Sequence, residues 1–142
     1  AFLSYSPCKT ERFLSNMLLT GNTQKKHHRL AAVSDQVMEE KYCLVITTYA
    51  DEKNGEKIID ALLSQRLAAC VQIMPIRSYY RWQGKITGDD EKLLLIKTKS
   101  SLYTKVEEAI IAHHAYELPE VIQLPISTGF AGYLNWLEKE CC

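Results

Sequence analysis

The chain has 142 residues, 46% apolar and 24% charged, with 17 lysines and arginines against 17 acids and a formal net charge of zero. That length holds one core, and the even charge balance excludes the positive surplus a nucleic-acid binder needs to displace counterions from phosphates. No apolar run approaches the roughly 20 residues of a membrane-crossing helix, so neither nucleic acid nor membrane is expected as a partner.

The five cysteines are Cys8, Cys43, Cys70, Cys141 and Cys142. An odd number without regular spacing is not a disulfide framework, which points to a reducing compartment. The adjacent pair at the chain end is expected to fray.

Residues 1–41 read as a leader and residues 42–142 as the domain. Residues 1–34 carry Lys9, Arg12, Lys25, Lys26 and Arg29 against the single acid Glu11, with many serines and threonines and no sustained period of 2 or 3.6. Basic, hydroxyl-rich and acid-poor is the composition of an organellar transit peptide. A vector-derived segment or a disordered tail are the alternatives. Met38, just before the first strand, would be a natural start for a compact protein. The cytoplasm is the expected compartment, with an organelle the alternative if the leader is a native transit peptide.

From Tyr42 the elements follow in order. Tyr42–Tyr49 is β-branched and aromatic, hence a strand. Asp51 caps a helix expected to run through Leu67, with Ile58, Ile59, Leu62 and Leu63 as its apolar stripe; Gly55 weakens its first turn. Ala69–Trp82 is too long for an ordinary strand, and Pro75 within it calls for an edge position, a bend or a bulge. Gly84 to Gly88 turns the chain, and Glu91–Ser100 returns. Ser101 or Thr104 starts a second helix, Thr104 and Glu107 having capping-box spacing. Glu120–Ile126 makes the fourth strand and Tyr133–Glu140 a short terminal helix. The fold class is therefore α+β, ferredoxin-like β-α-β-β-α-β, with an extended hairpin and both long helices on one face.

The other face poses a question. Leu93 to Ile96 shows no polar alternation, and Ile122, Leu124 and Ile126 alternate with Val121, Gln123 and Pro125. Strands buried on both faces read this way. About 100 residues leave no spare layer, so self-association is expected.

Several segments together resemble the CutA family of divalent-cation tolerance proteins: Arg66 to Val71, Ser78 to Ile86, Ile96 to Thr98, His113 to Glu120 and Tyr133 to Leu137. The Leu-Ala-Ala-Cys block, the Trp-Gln-Gly-Lys turn and the His-His-Ala-Tyr-Glu-Leu-Pro-Glu segment carry the likeness across residues 42–138. It implies a ferredoxin-like fold and a homotrimer built through extended hairpins. It also implies a link to copper and divalent-metal tolerance, and an architecture like that of the PII signalling proteins. Tyr79, Tyr80, Trp82 and Trp136 are the expected trimer contacts, Tyr, Trp and Arg being enriched at interfaces. Some members carry thiols where this chain has Thr47 and Ala109, and the family's His-His-Pro-Tyr is His-His-Ala-Tyr here, with Ala115.

Soft thiolate and imidazole ligands suit copper. The candidates are Cys70, His113 and His114, with Cys43 behind them. His113 falls in the middle of the stripe formed by Val106, Ala109 and Ile110 and reads more readily as a core histidine; His114 lies at the stripe's edge. Neighbouring helical histidines diverge, so any copper or other divalent metal is expected to bind weakly. Tyr116, Glu117 and Glu120 are the candidate small-ligand residues of an intersubunit cleft. An RNA-reading sheet would need aromatics and glycines where Glu91–Lys97 has none. An acylphosphatase would need an arginine loop where Ala50-Asp51-Glu52 is acidic. No phosphate cradle or hydrolase motif occurs, so no enzyme is expected. Asp89-Asp90-Glu91 reads as a solvated acidic turn.

Overall fold

The computed structural model describes residues 40–142, and the expected leader lies outside them up to residue 39. Eight elements follow: β1 Tyr42–Tyr49, α1 Glu52–Ser64, β2 Cys70–Trp82, β3 Lys85–Lys99, a 3-10 turn Ser100–Leu102, α2 Tyr103–His113, β4 Ile122–Ile126 and α3 Ala131–Glu140. The sheet runs β2-β3-β1-β4 with every neighbouring pair antiparallel. This is the expected ferredoxin-like α+β fold. Cys43, Val45 and Tyr49 of β1 and Leu94 and Ile96 of β3 pack beneath Ile58 and Leu62 of α1 and Val106 and Ile110 of α2. Each such side chain contributes about 1.5–3 kcal/mol by leaving water.

The boundaries depart from expectation for local reasons. Asp51 accepts from the Asn54 amide at 2.9 Å, the expected cap. However, α1 stops at Ser64 rather than Leu67, because Arg66 turns left-handed at φ 56° and sends the Leu67 and Ala68 amides back to the Leu62 carbonyl. The reversal expected over Gly84 to Gly88 needs only Gln83 and Gly84, at φ 48° and 80°, the two positive values of a tight hairpin turn. So β3 starts at Lys85, and Gly88 is a strand residue opposite Tyr79. A Cβ there would lie 2.7 Å from the Tyr79 ring. Pro75 pairs with Lys92 in an unbroken register; β2 is an edge strand, so a missing N–H costs nothing on its outer side.

The capping box does not form. The 3-10 turn leads into α2 without a side-chain cap, and Glu107 accepts from the Tyr103 hydroxyl at 2.7 Å instead. The chain end does not fray. Cys141 is buried with Leu102 and Leu137, and the Cys142 amide donates to the Arg66 carbonyl at 3.1 Å.

Two features set up the site. On the face away from α1 and α2, Leu44, Ile46, Leu93 and Leu95 are half-buried while Ile122 and Leu124 are exposed; α3 packs through Leu137 near Leu102, Tyr42 and Ala69. Second, of β3 only Lys92–Lys99 pair with β1, so Lys85–Glu91 are paired only with Ile76–Trp82 of β2. The hairpin therefore leaves the sheet as a two-stranded ribbon.

Candidate functional site

The site is built where the ribbon leaves the sheet, from the segment that follows α2. Asn54 on α1 is 9% exposed; its amide nitrogen donates to the His113 carbonyl and its oxygen accepts from the Ala115 amide at 3.1 Å. His114 spans the gap to β1. Its Nε2 lies 2.7 Å from the Thr48 carbonyl, and its Nδ1 accepts from the Tyr116 amide at 3.0 Å. An acceptor Nδ1 leaves the proton on Nε2, which donates to Thr48. Both ring nitrogens are thus committed.

This clamp aims Tyr116 at β3, where its hydroxyl donates to Glu91 Oε1 at 2.7 Å. The ring packs 4.8 Å from that of His114. Burial, and then the bond to Glu91, push the phenol well above its usual range, so it remains a neutral donor.

Around these residues opens a cleft of about 730 Å³, within the size range of small-molecule sites. Tyr79, Tyr80 and Trp82 of the ribbon form one wall, and Tyr116, Glu117 and Glu120 the other. Tyr116, Glu117 and Glu120 thus meet in one cleft together with three of the four expected interface aromatics. Trp136 stands elsewhere, on α3 against Tyr133, with ring centroids 5.3 Å apart.

The acidic run expected as a solvated turn lies within β3, and each acid is engaged. Asp89 accepts from the Tyr80 hydroxyl, Asp90 pairs with Arg77 at 2.9 Å, and Glu91 takes Tyr116. Arg77 also lies over the Tyr79 ring, 5.6 Å from its centroid.

The metal candidates do not converge. Cys70 pairs with Lys97, which pairs with Leu44, whereas His114 is tied to Thr48. Four residues of strand separate the two levels, about 14 Å at ~3.4 Å each, and a metal–thiolate bond is about 2.3 Å long. Cys70 has Lys97 Nζ at 3.9 Å, and it also raises the hydroxyl of Tyr133 on α3, second to burial. His113 is exposed rather than in the core, because α2 ends at that residue. Its Nδ1 lies 2.8 Å from the Ala109 carbonyl. Cys43 is buried and its thiol is pushed up by burial. Among the described residues no three His, Cys, Asp or Glu side chains gather to hold an ion, so the donor set does not fit a multidentate metal centre.

Sequence reasoning missed Asn54 and Glu91. Asn54 follows a cap residue and looks like ordinary helix-start chemistry. Its partners lie 59 and 61 residues away, beyond any local pattern.

A family model described as CutA1 divalent ion tolerance protein matches residues 43–140. The chloroplastic protein CutA of Arabidopsis thaliana is 44% identical over 97 residues, 68% of this chain and 53% of that protein. The divalent-cation tolerance protein CutA of Thermus thermophilus is 44% identical over 97 residues, 68% of this chain and 94% of the relative. This chain therefore spans about half the length of the plant relative and nearly all of the bacterial one. The crystal structure of CutA1 from Oryza sativa superposes with a TM-score of 0.70 at 40% identity, covering 73% of this chain and 96% of the other. Family model, relatives and solved fold all point to one family, and the chain belongs to the CutA1 family of divalent ion tolerance proteins.

Proposed function

We propose that this protein serves in tolerance to divalent metal ions as a homotrimer, a binding protein rather than an enzyme, whose own contact with copper or another divalent metal is weak. The observation that carries the assembly is the ribbon. A two-stranded hairpin is marginal alone in water, yet this one exposes Tyr79, Trp82 and Ile86 at 70%, 47% and 76%. Closed rings of three protomers that pair ribbon to ribbon would cover it, and the half-covered sheet face with it. A two-fold dimer is the commoner symmetry, but stacked faces would leave the ribbon bare. Weak metal contact follows from donors that act singly: Cys70 at the start of β2 and His113 at the end of α2 supply one ligand each. Sedimentation equilibrium at micromolar concentration tests the ring, and a folded wild-type monomer or dimer refutes it. Copper titration by calorimetry tests the metal, with micromolar or weaker binding expected that falls further in Cys70→Ser or His113→Ala. Tight stoichiometric copper binding that survives both substitutions overturns it.

A second reading is favoured by the cleft: a small-molecule module whose ligand sits between subunits, with Tyr116, Glu117 and Glu120 as its contacts. Thermal-shift screening of small metabolites tests it, stabilisation by RT ln(1 + [L]/Kd) being the signature.

The compartment belongs to the same proposal. The transit-like composition of residues 1–34 and the word chloroplastic in the names of the Arabidopsis and rice relatives favour the organellar alternative over the cytoplasm. No helix among the described residues is long and apolar enough to cross a membrane. Imaging residues 1–41 fused to a fluorescent protein tests the address; a diffuse cytoplasmic signal returns it to the cytoplasm.

A further inference from the structure

Asn54-Gly55 is the one Asn-Gly pair of the sequence. Such a pair is the dipeptide most prone to deamidation. The backbone nitrogen of the second residue attacks the side-chain carbonyl carbon of the first, and a glycine has no side chain to hinder the approach. Packing fixes both residues here. Gly55 is required by the Tyr49 ring, which a Cβ would meet at 2.3 Å. Asn54 is required because its two partners differ: the His113 carbonyl needs a donor, and the Ala115 amide, at 3.1 Å, needs an acceptor. A primary amide offers both on separate atoms.

The fold withholds the reaction in three ways. Attack requires the Gly55 nitrogen to lose its proton, and that N–H is donated to the Asp51 carbonyl at 3.0 Å. It requires a backbone outside the helical range, whereas the Asn54 amide is held in the first turn of α1 by Asp51 Oδ1 at 2.9 Å. It also requires the Asn54 side chain to turn back onto its own main chain, and both of its polar atoms are tied to residues 59 and 61 positions away. All of these bonds run within one chain, and none of the residues is among those expected at contacts between copies. The reaction therefore starts from a locally opened first turn, a state reached at less cost than global unfolding.

The step balances with water alone. The Gly55 nitrogen bonds to Asn54 Cγ, the side-chain amide leaves as ammonia, and water opens the cyclic imide at either carbonyl to give aspartate or isoaspartate. Each product carries a carboxylate, ionised at neutral pH and without a donor. Closing the clasp again sets that anion against the His113 carbonyl, where an N–H was donated before. Acceptor then faces acceptor, and a partly buried carbonyl left without its donor lowers stability. Isoaspartate also routes the main chain through the side-chain methylene, which lengthens the first turn of α1 and shifts Gly55 against the Tyr49 ring. Opening permits the reaction, and the product favours the open form.

We propose that Asn54 is a deamidation site gated by its own clasp: opening of the first turn of α1 commits Asn54-Gly55 to aspartate or isoaspartate, and the modified chain no longer holds residues 113–116 in place. The change reaches Tyr116, whose bond to Glu91 depends on the segment that Asn54 anchors.

Incubation of the full chain at mildly alkaline pH, followed by peptide mass mapping, tests it. Conversion at Asn54 is expected, with none at Asn135, which precedes the bulky Trp136. Its rate should rise in urea well below the unfolding midpoint, and by about fivefold in Asp51→Ala, the population shift that loss of a helix cap produces. Equal rates in buffer and in fully unfolding urea overturn the gate. No conversion at Asn54 in buffer or in sub-denaturing urea overturns the site. Asn54→Asp reports on the product without the reaction. It should melt below the wild type at neutral pH, with faster hydrogen exchange at the Tyr116 amide. Part of the difference should return below about pH 4, where a protonated acid donates again. An Asn54→Asp chain that matches the wild type in melting and in exchange overturns the release of residues 113–116.

Discussion

Gly55 lies on α1 directly against the ring of Tyr49, where a Cβ would come within 2.3 Å of the ring carbons. That ring is 1% exposed and cannot swing out without opening the core. Gly55→Ala would gain up to about 1 kcal/mol of helix propensity and lose about 1–3 kcal/mol to overpacking. The expected outcome is a lower denaturant midpoint at unchanged m-value; a raised midpoint would show that the ring yields freely. The glycine that weakens a helix in isolation is therefore the residue that lets α1 close onto β1. Burial also pushes the thiols of Cys43 and Cys141 upward. Free thiols ionise near 8.5 in an unfolded chain and higher in this fold, so their contribution to stability is complete below about pH 8.5 and is lost as pH rises beyond it. Tyr49, Tyr116 and Tyr133, raised first by burial, add to the loss from about pH 10. The melting temperature should fall above about pH 9, and Cys141→Ala should flatten the slope between pH 8.5 and 10. An unchanged slope would remove the thiol from the explanation.

Among the elements, β2 and β3 decide the assembly. Their inner halves belong to the sheet; their outer halves, Ile76–Trp82 and Lys85–Glu91, have only each other. Trp82 sits at the closing pair of that ribbon opposite Lys85, 47% exposed in a single chain. An aromatic anchor at a junction between protomers is worth about 2–4 kcal/mol on truncation. Trp82→Ala should therefore lower the melting temperature and make it depend on protein concentration. A Trp82→Ala protein with wild-type stability at every concentration would exclude Trp82 from the junction. The turn itself was only half legible. Gly84 announces a reversal, but a glutamine at φ 48° does not, and the expected loop to Gly88 followed from giving the turn more residues than it uses.

For the whole molecule, the core clusters of the described residues draw on residues after Lys41. Removal of residues 1–37 should leave sedimentation and melting temperature unchanged. A fall beyond about 4 °C, the shift that about 1 kcal/mol produces in a domain this size, would show that the leader stabilises the fold. The order of elements, the position of each helix and strand to within a few residues except the start of β3, and the unusual length of β2 were legible in the sequence. Each is written in local pattern: β-branched and aromatic residues through Tyr42–Tyr49, a helical stripe at Ile58 and Leu62, and two-sided apolarity at Leu93–Ile96. The CutA likeness was legible for the same reason, its segments being contiguous. What only the tertiary structure decided concerns residues whose partners are far along the chain. Periodicity put His113 in the core, but α2 ends at that residue and leaves its ring exposed. His114 commits both ring nitrogens to Thr48 and Tyr116, and sheet register puts Cys70 about four residues of strand from that level. The acids Asp89, Asp90 and Glu91 acquire partners on β2 and beyond α2, although Asp89 and Asp90 stay exposed to water. Local pattern records which face of an element is apolar. It carries no record of which side chain stands opposite, because that depends on register and on where a helix stops, both set by the packing of the whole sheet.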